Sequence, residues 1–120
     1  MSFLSRLLNR SPSPRLAPRD FVAQRDPGAP VLDVRSPREY ASGHLAGSIN
    51  LDVNAPDFAS RLDQLAARGT IRPDRPVYLY CRSGNRSGTA TRILREKGFD
   101  EAFNVGGFTA LRAAGAEVRT

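Results

Sequence analysis

The only cysteine of the chain lies in a short stretch of basic and small residues, YCRSGNRSG (Tyr80–Gly88). Arg82 follows Cys81 directly, Arg86 comes four residues later, and no Asp or Glu occurs from Cys81 through Ala90. Thiolates, not thiols, are nucleophiles, and neighbouring positive charge favours the thiolate. These residue types therefore predict an activated cysteine in a field that attracts an anionic substrate.

The loop around Cys81 connects a predicted strand to a predicted helix. The apolar run Pro76–Tyr80 indicates a buried strand, and the apolar spacing over Ser87–Lys97 indicates a helix. Gly84 permits the unusual backbone angles that a sharp turn needs. A tight loop before a helix directs several N–H groups inward, where they and the helix dipole form an anion cradle. We expect Cys81 at the rim of this cradle, with its pKa lowered by the N–H groups, the dipole and the arginines.

Three further residues are candidates for chemistry or for support. His44, the only histidine, could act as a base for Cys81, but its place before a different strand favours a structural role in a turn. The loop itself would then activate the thiolate, which suits attack on sulfur, where a leaving thiol or sulfite needs no protonation. Asp33 and Arg35 flank the end of a strand, and we interpret them as a structural pair that braces the neighbouring loop.

Alternating strands and helices predict an α/β fold with a parallel sheet covered on both faces. Ser36, Pro37 and Glu39 form a helix start with a capping box. The predicted strands are Val31–Val34, Ser48–Leu51, Pro76–Tyr80 and Ala102–Val105, with helices before Gly43, Gly69, Gly98 and Gly115 and core aromatics at Tyr40, Phe58, Phe99, Phe103 and Phe108. Ligands bind beyond the carboxyl ends of such strands, which is where Cys81 falls.

Length and cysteine content limit the class of protein. A chain of 120 residues with 40% hydrophobic residues suits one domain, since domains commonly contain about 100–150 residues. One cysteine excludes an internal disulfide and a site built from cysteine pairs, and we predict neither a metal nor a cofactor. It also excludes a resolving cysteine in the same chain, so another molecule must reset a modified thiol.

Charge and hydropathy argue against nucleic acid and membrane partners. The net charge is +6 and all basic residues except Lys97 are Arg, but they are scattered and not interleaved with stacking aromatics. No apolar run approaches the roughly 20 residues of a membrane span. The first ten residues contain arginines within their apolar patch, unlike a secretory signal. A cytoplasmic location is expected.

The segment 1–14 is predicted to be a flexible leader, separate from a domain over 15–120. The sequence SPSP near its end blocks regular structure, and four apolar residues would form only two amphipathic turns: Phe3, Leu4, Leu7 and Leu8. The alternative is a short helix that binds a membrane surface or a partner.

From Leu16 to the C-terminus, three blocks in order resemble single-domain rhodanese-like proteins: VLDVRSPREYASGHLAGSINL, VYLYCRSGNRSGTATRILREKGF and NVGGFTALRAAGAEV. The resemblance implies a three-layer α/β/α fold with a five-stranded parallel sheet. It implies that Cys81 accepts a sulfane sulfur as a persulfide and passes it to a thiophilic acceptor. The substrate-binding loop would then comprise Arg82, Ser83, Gly84, Asn85, Arg86 and Ser87. The chain departs from the family at Leu111, usually aromatic, and at Glu117, often proline, both interpreted as packing positions.

Three functions remain open from the sequence. The first is a sulfurtransferase that uses thiosulfate or a persulfide as donor and cyanide or a thiol as acceptor. The second is a phosphatase or arsenate reductase, but related phosphatase loops place five residues between Cys and Arg, whereas four separate Cys81 from Arg86. The third is a non-catalytic interaction module, although such modules typically lack the cysteine.

Overall fold

Four parallel strands form the central sheet, and the strand that ends at Cys81 lies in its interior. The structure, a computed structural model, describes residues 14–120. The sheet contains β1 (Val31–Asp33), β3 (Ile49–Asn50), β4 (Val77–Cys81) and β5 (Ala102–Gly107). All four predicted strands are confirmed, with bounds that differ by one or two residues. The order across the sheet is β3-β1-β4-β5. Since β4 lies between β1 and β5, Cys81, the last residue of β4, lies at the carboxyl end of an interior strand.

In the described part of the chain the four predicted helices are present, and a further helix that was not predicted precedes the first strand. Their bounds are α1 (Pro18–Gln24), α2 (Pro37–Ser42), α3 (Phe58–Ala67), α4 (Asn85–Glu96) and α5 (Phe108–Ala113). The capping box of α2 is confirmed, since Ser36 Oγ accepts the Glu39 N–H and Glu39 accepts the Ser36 N–H. Gly43 ends α2, also as predicted.

The side chains of β4 alternate between two cores, one on each face of the sheet. Val77, Leu79 and Cys81 join a cluster that includes residues of α3 and α4. Tyr78 and Tyr80 join the opposite cluster, with residues of α1 and α5. Burial of both faces explains why the run PVYLY is apolar throughout, and it confirms helices on both faces.

Within residues 14–120 the expected fifth parallel strand is not formed. At the outer edge of β5, Arg15 makes only a single parallel bridge to Asn104. Pro14 and Pro18 flank this segment, and proline lacks the N–H that a longer strand pairing needs. A separate two-stranded antiparallel sheet instead joins β2 (His44–Leu45) to β6 (Val118–Arg119).

Six of the seven predicted packing positions are buried or half-buried. Phe58, Phe99 and Leu111 are buried, whereas Tyr40, Phe103 and Phe108 are half-buried. The prediction for Glu117 is wrong, because its side chain is exposed and pairs with Arg119. Only its backbone takes part in the fold, through a carbonyl that accepts the Ala46 N–H.

The predicted leader falls almost entirely on residues 1–13, which lie outside the described residues. Pro14, the last residue of that segment, accepts a hydrogen bond from the Asn104 N–H through its carbonyl. Among residues 14–120, no helix has the length and apolar character that crossing a membrane requires.

Candidate active site

Cys81 ends the central strand, and its side chain is fully buried. Three donors surround its Sγ: the Gly84 N–H at 3.0 Å, the Ser87 N–H at 3.4 Å and the Ser87 hydroxyl at 3.3 Å. The predicted cradle of inward N–H groups is therefore present. All three donors are neutral groups that can stabilise negative charge on the sulfur.

The pKa of Cys81 is lowered from its ordinary value. Burial opposes ionisation and raises this pKa, but hydrogen bonds from the Ser87 hydroxyl and from the N–H groups of Ser87, Ser83 and Gly84 outweigh it. The direction agrees with the prediction, and hydrogen bonds rather than arginine charges are its main cause. A thiolate fraction larger than that of a free cysteine follows.

Two glycines shape the loop, Gly84 through its backbone conformation and Gly107 through a close approach. Gly84 has φ +99°, in the left-handed region, and it caps the N-terminus of α4. Gly107 packs so closely on the loop that a Cβ there would lie 2.4 Å from the Arg82 carbonyl oxygen. The register between β4 and β5 shifts between Leu79 and Cys81, which brings Gly107 opposite Cys81. The end of β5 therefore forms one wall of the loop.

Helix α4 begins at Asn85, two residues before the predicted start at Ser87. Sequence periodicity misses these residues because Asn85 and Arg86 are polar and the apolar pattern begins later. The earlier start places Asn85 and Arg86 in the first turn of α4 and leaves only Arg82, Ser83 and Gly84 as a loop. Arg82, Ser83 and Asn85 are exposed at the rim, whereas Gly84 and Ser87 are buried.

Arg86 is paired with an acid from another element. Its guanidinium donates to both carboxylate oxygens of Glu39, at 2.7 and 3.0 Å. This contact lowers the pKa of Glu39 to about 2, while burial acts in the opposite direction. Glu39 therefore caps α2 and also neutralises an active-site arginine. The sequence predicts only the capping role of Glu39.

Asn104 of β5 is a site residue that the sequence analysis missed. Its side chain is 2% exposed. Its Nδ2 donates to the Gly84 carbonyl at 3.0 Å, and its Oδ1 lies 2.7 Å from Ser87 Oγ. The only available signal was a polar residue within an otherwise apolar strand, followed by two glycines.

The comparison with known families agrees with this geometry. A family model described as the Rhodanese-like domain matches residues 18–114. The chain belongs to this family. The uncharacterised protein YqhL of Bacillus subtilis is 42% identical over 81 residues, which cover 67% of this chain and 58% of YqhL. The chain therefore matches less than two thirds of the length of YqhL.

Two further relatives extend the likeness over most of the domain. The thiosulfate sulfurtransferase GlpE of Stutzerimonas stutzeri is 34% identical over 100 residues, covering 82% of this chain and 84% of GlpE. A crystal structure of a rhodanese-related protein from Thermoplasma volcanium has a TM-score of 0.72 at 25% identity, covering 88% of this chain and 97% of that one.

A second polar cluster of this rhodanese-like domain is fully paired. Asp33 and Arg35 form a buried ion pair at 2.7 Å, and Arg35 also donates to the Gly43 carbonyl at 2.6 Å. The Tyr80 hydroxyl donates to Asp33 at 2.7 Å and accepts the Leu45 N–H. Burial and the nearby carboxylate raise the pKa of Tyr80. The predicted bracing role of Asp33 and Arg35 is confirmed.

His44 is held by α2. Its ring stacks on Tyr40 at 3.7 Å between centroids, and its Nδ1 lies 2.9 Å from the Tyr40 carbonyl oxygen. No hydrogen bond described within residues 14–120 joins it to Cys81, which agrees with the predicted structural role. In the same part of the chain, no cluster of three His, Cys, Asp or Glu side chains could hold a metal ion.

Proposed function

We propose that this rhodanese-like domain transfers a sulfane sulfur through a persulfide on Cys81. The observation that carries the proposal is the set of three neutral donors on one buried sulfur. They favour the thiolate before the reaction, and they stabilise the same charge when Cys81 becomes the leaving group. The similarity to a thiosulfate sulfurtransferase supports the same chemistry.

The reaction is a pair of displacements at sulfur. The Cys81 thiolate attacks the outer sulfur of thiosulfate, a new S–S bond forms, and sulfite leaves with the electron pair of the broken bond. An acceptor, either cyanide or a thiolate, then attacks the outer sulfur of the persulfide. The Cys81 thiolate leaves and is ready for another donor. Neither step consumes an oxidant or needs a proton.

Arg82 is the residue that we assign to attraction of an anionic donor. It is exposed at the rim, and among residues 14–120 its side chain makes no described salt bridge. Arg86 contributes less, because Glu39 already occupies both arms of its guanidinium. One exposed cation, Arg82, is therefore left to attract the donor. The proposed donor is thiosulfate or a persulfide, the proposed acceptor is cyanide or a thiol, and the cytoplasm stays the proposed location.

Intact mass spectrometry tests this function. Incubation with thiosulfate should add the mass of one sulfur atom, and cyanide should remove it with formation of thiocyanate. The matched control is Cys81→Ser, which should gain no sulfur. A chain that binds neither sulfur nor thiosulfate would support an interaction module, and hydrolysis of an aryl phosphate without sulfur transfer would support a phosphatase; either result would contradict the proposal.

A further inference from the structure

The buried hydroxyl of Ser87 lies between two acceptors. Its Oγ is 3.3 Å from Cys81 Sγ and 2.7 Å from Asn104 Oδ1. A serine hydroxyl has one hydrogen to donate, and Ser87 is fully buried, which keeps bulk water from replacing either partner. The two contacts therefore compete for the same hydrogen.

The amide of Asn104 is oriented so that its oxygen faces Ser87. Its Nδ2 donates to the Gly84 carbonyl at 3.0 Å, and its Oδ1 accepts the Gly106 N–H at 3.1 Å. The flipped orientation would set the amide NH2 against the Gly106 N–H and the amide oxygen against the Gly84 carbonyl. Both contacts would then be repulsive, which fixes Oδ1 as the acceptor beside Ser87.

We propose that Ser87 and Asn104 form a hydroxyl switch: Ser87 donates to Cys81 when this sulfur is charged, and to Asn104 when the sulfur is neutral. Hydrogen bonds to an ionised acceptor are about twice as strong as neutral ones, so a thiolate outcompetes the amide oxygen. A neutral sulfur is a weak acceptor, so the amide oxygen then wins. Asn104 is a positioning residue that acts through Ser87.

The switch, which rests on the proposed function, follows charge through both displacements. When Cys81 attacks the donor, its sulfur becomes the neutral inner atom of the persulfide, and the Ser87 hydroxyl turns to Asn104. When the acceptor removes the outer sulfur, the electron pair of the S–S bond returns to Cys81, and the hydroxyl turns back. Only an O–H bond rotates, and no proton is transferred.

Asn104 also limits how strongly the thiolate is held. A thiolate becomes a weaker nucleophile as the pKa of its thiol falls. An acceptor that competes for the Ser87 hydrogen offsets part of the stabilisation that the donors give. Its removal should therefore favour ionisation of Cys81, the opposite of what a loosened loop would do.

The test measures ionisation of Cys81, the only thiol, from the pH dependence of its alkylation by iodoacetamide. Four chains are compared: wild type, Ser87→Ala, Asn104→Ala and the double variant. Ser87→Ala should raise the alkylation midpoint, with about a tenfold loss in the ratio of thiolate to thiol. Asn104→Ala should lower the midpoint when Ser87 is present and leave it unchanged in the Ser87→Ala chain. The switch would be overturned if Asn104→Ala raised the midpoint, or if it changed the midpoint equally with and without Ser87.

A second substitution covers the case in which Asn104→Ala fails to fold. In Asn104→Asp, a carboxylate binds the Ser87 hydrogen more strongly than the amide does, so the midpoint should rise more with Ser87 present than in Ser87→Ala. Equal rises would mean simple charge repulsion and would overturn the proposal. Alkylation needs no sulfur transfer, so a chain that never gains sulfur from thiosulfate would contradict the proposed function but leave this result standing.

Discussion

Two buried polar clusters lie on opposite faces of the sheet, and they hold negative charge in different ways. The Asp33 carboxylate faces a cation, Arg35, and accepts the Tyr80 hydroxyl as well. The Cys81 sulfur instead accepts hydrogen bonds from neutral donors, the N–H groups of Gly84 and Ser87 and the Ser87 hydroxyl. Removal of the charge from Asp33 would leave a buried cation without its partner, whereas Cys81 can lose its charge without this penalty. Under the proposed function the charge on Cys81 leaves and returns in each cycle, and neutral donors can hold such a charge without leaving a cation unpaired.

Cys81→Ser tests the chemical half of this comparison, and its expected effect is the largest. Sulfur transfer from thiosulfate to cyanide should fall to the uncatalysed rate, because a serine hydroxyl does not form a stable persulfide equivalent. The free energy of unfolding should change by only about 1–2 kcal/mol, since the three donors can bind the serine oxygen instead. A stopped assay of thiocyanate measures the rate of sulfur transfer, and urea unfolding measures the free energy of unfolding. Residual transfer would contradict the assignment of Cys81.

Arg35→Met should reduce stability and leave the chemistry of Cys81 intact, the reverse of Cys81→Ser. It leaves the Asp33 carboxylate buried without its cation, which should lower the free energy of unfolding by about 3–5 kcal/mol. Molecules that remain folded should still take up one sulfur at Cys81. Urea unfolding combined with intact mass after thiosulfate checks both statements. Loss of sulfur uptake in fully folded protein would show that the two clusters are not independent.

Arg82→Ala and Arg86→Ala sharpen the comparison within the active site. Arg82→Ala should raise the KM for thiosulfate by about threefold to fivefold, because an exposed cation contributes modestly. The KM for a neutral persulfide donor should rise less.

Arg86→Ala exposes the Glu39 carboxylate to the donor and should also raise the KM for thiosulfate. The added change Glu39→Gln should return this KM toward the wild-type value. If Glu39→Gln restores nothing, Arg86 itself binds the donor.

Glu39→Gln has the smallest expected effect, which should depend on pH. The pKa of Glu39 lies at about 2 instead of its ordinary 4.5, so the Arg86 contact stabilises the ionised, folded form. This contribution is fully present above pH 4.5, decreases as the pH falls and is lost near pH 2. The wild type should unfold at higher urea than Glu39→Gln at pH 7, and the difference should shrink at pH 3. If the two chains differed in stability by the same amount at both pH values, Glu39 would act through the α2 cap alone and not through its charge on Arg86.

The parts of the site that are close in sequence could be predicted from it. Cys81, Gly84 and Ser87 lie within one strand-loop-helix unit, and the α2 capping box spans four residues. Local chain geometry fixes these contacts. The lowered pKa of Cys81 follows from the same unit, because N–H groups at a helix start must point toward the loop.

The contacts that join separate elements could not be predicted. Glu39 and Arg86 are 47 residues apart, and Ser87 and Asn104 are 17 apart. Their meeting depends on the order of strands and on the register shift beside Gly107. The absence of acids between Cys81 and Ala90 therefore gave too positive a picture of the loop. The prediction of five parallel strands was wrong for a related reason, because the pairing of Arg15 with the edge of β5 is limited to a single bridge.

The central place of β4 has a consequence for motion. β4 is bonded to β1 on one side and β5 on the other, so its amide hydrogens exchange with solvent only when most of the domain opens. β2 and β6 pair through two residues each, and such short edges open at a small fraction of the global free energy. Local fraying at that edge leaves the backbone of Cys81 protected, so a partly opened molecule keeps the end of β4 and its cysteine in place.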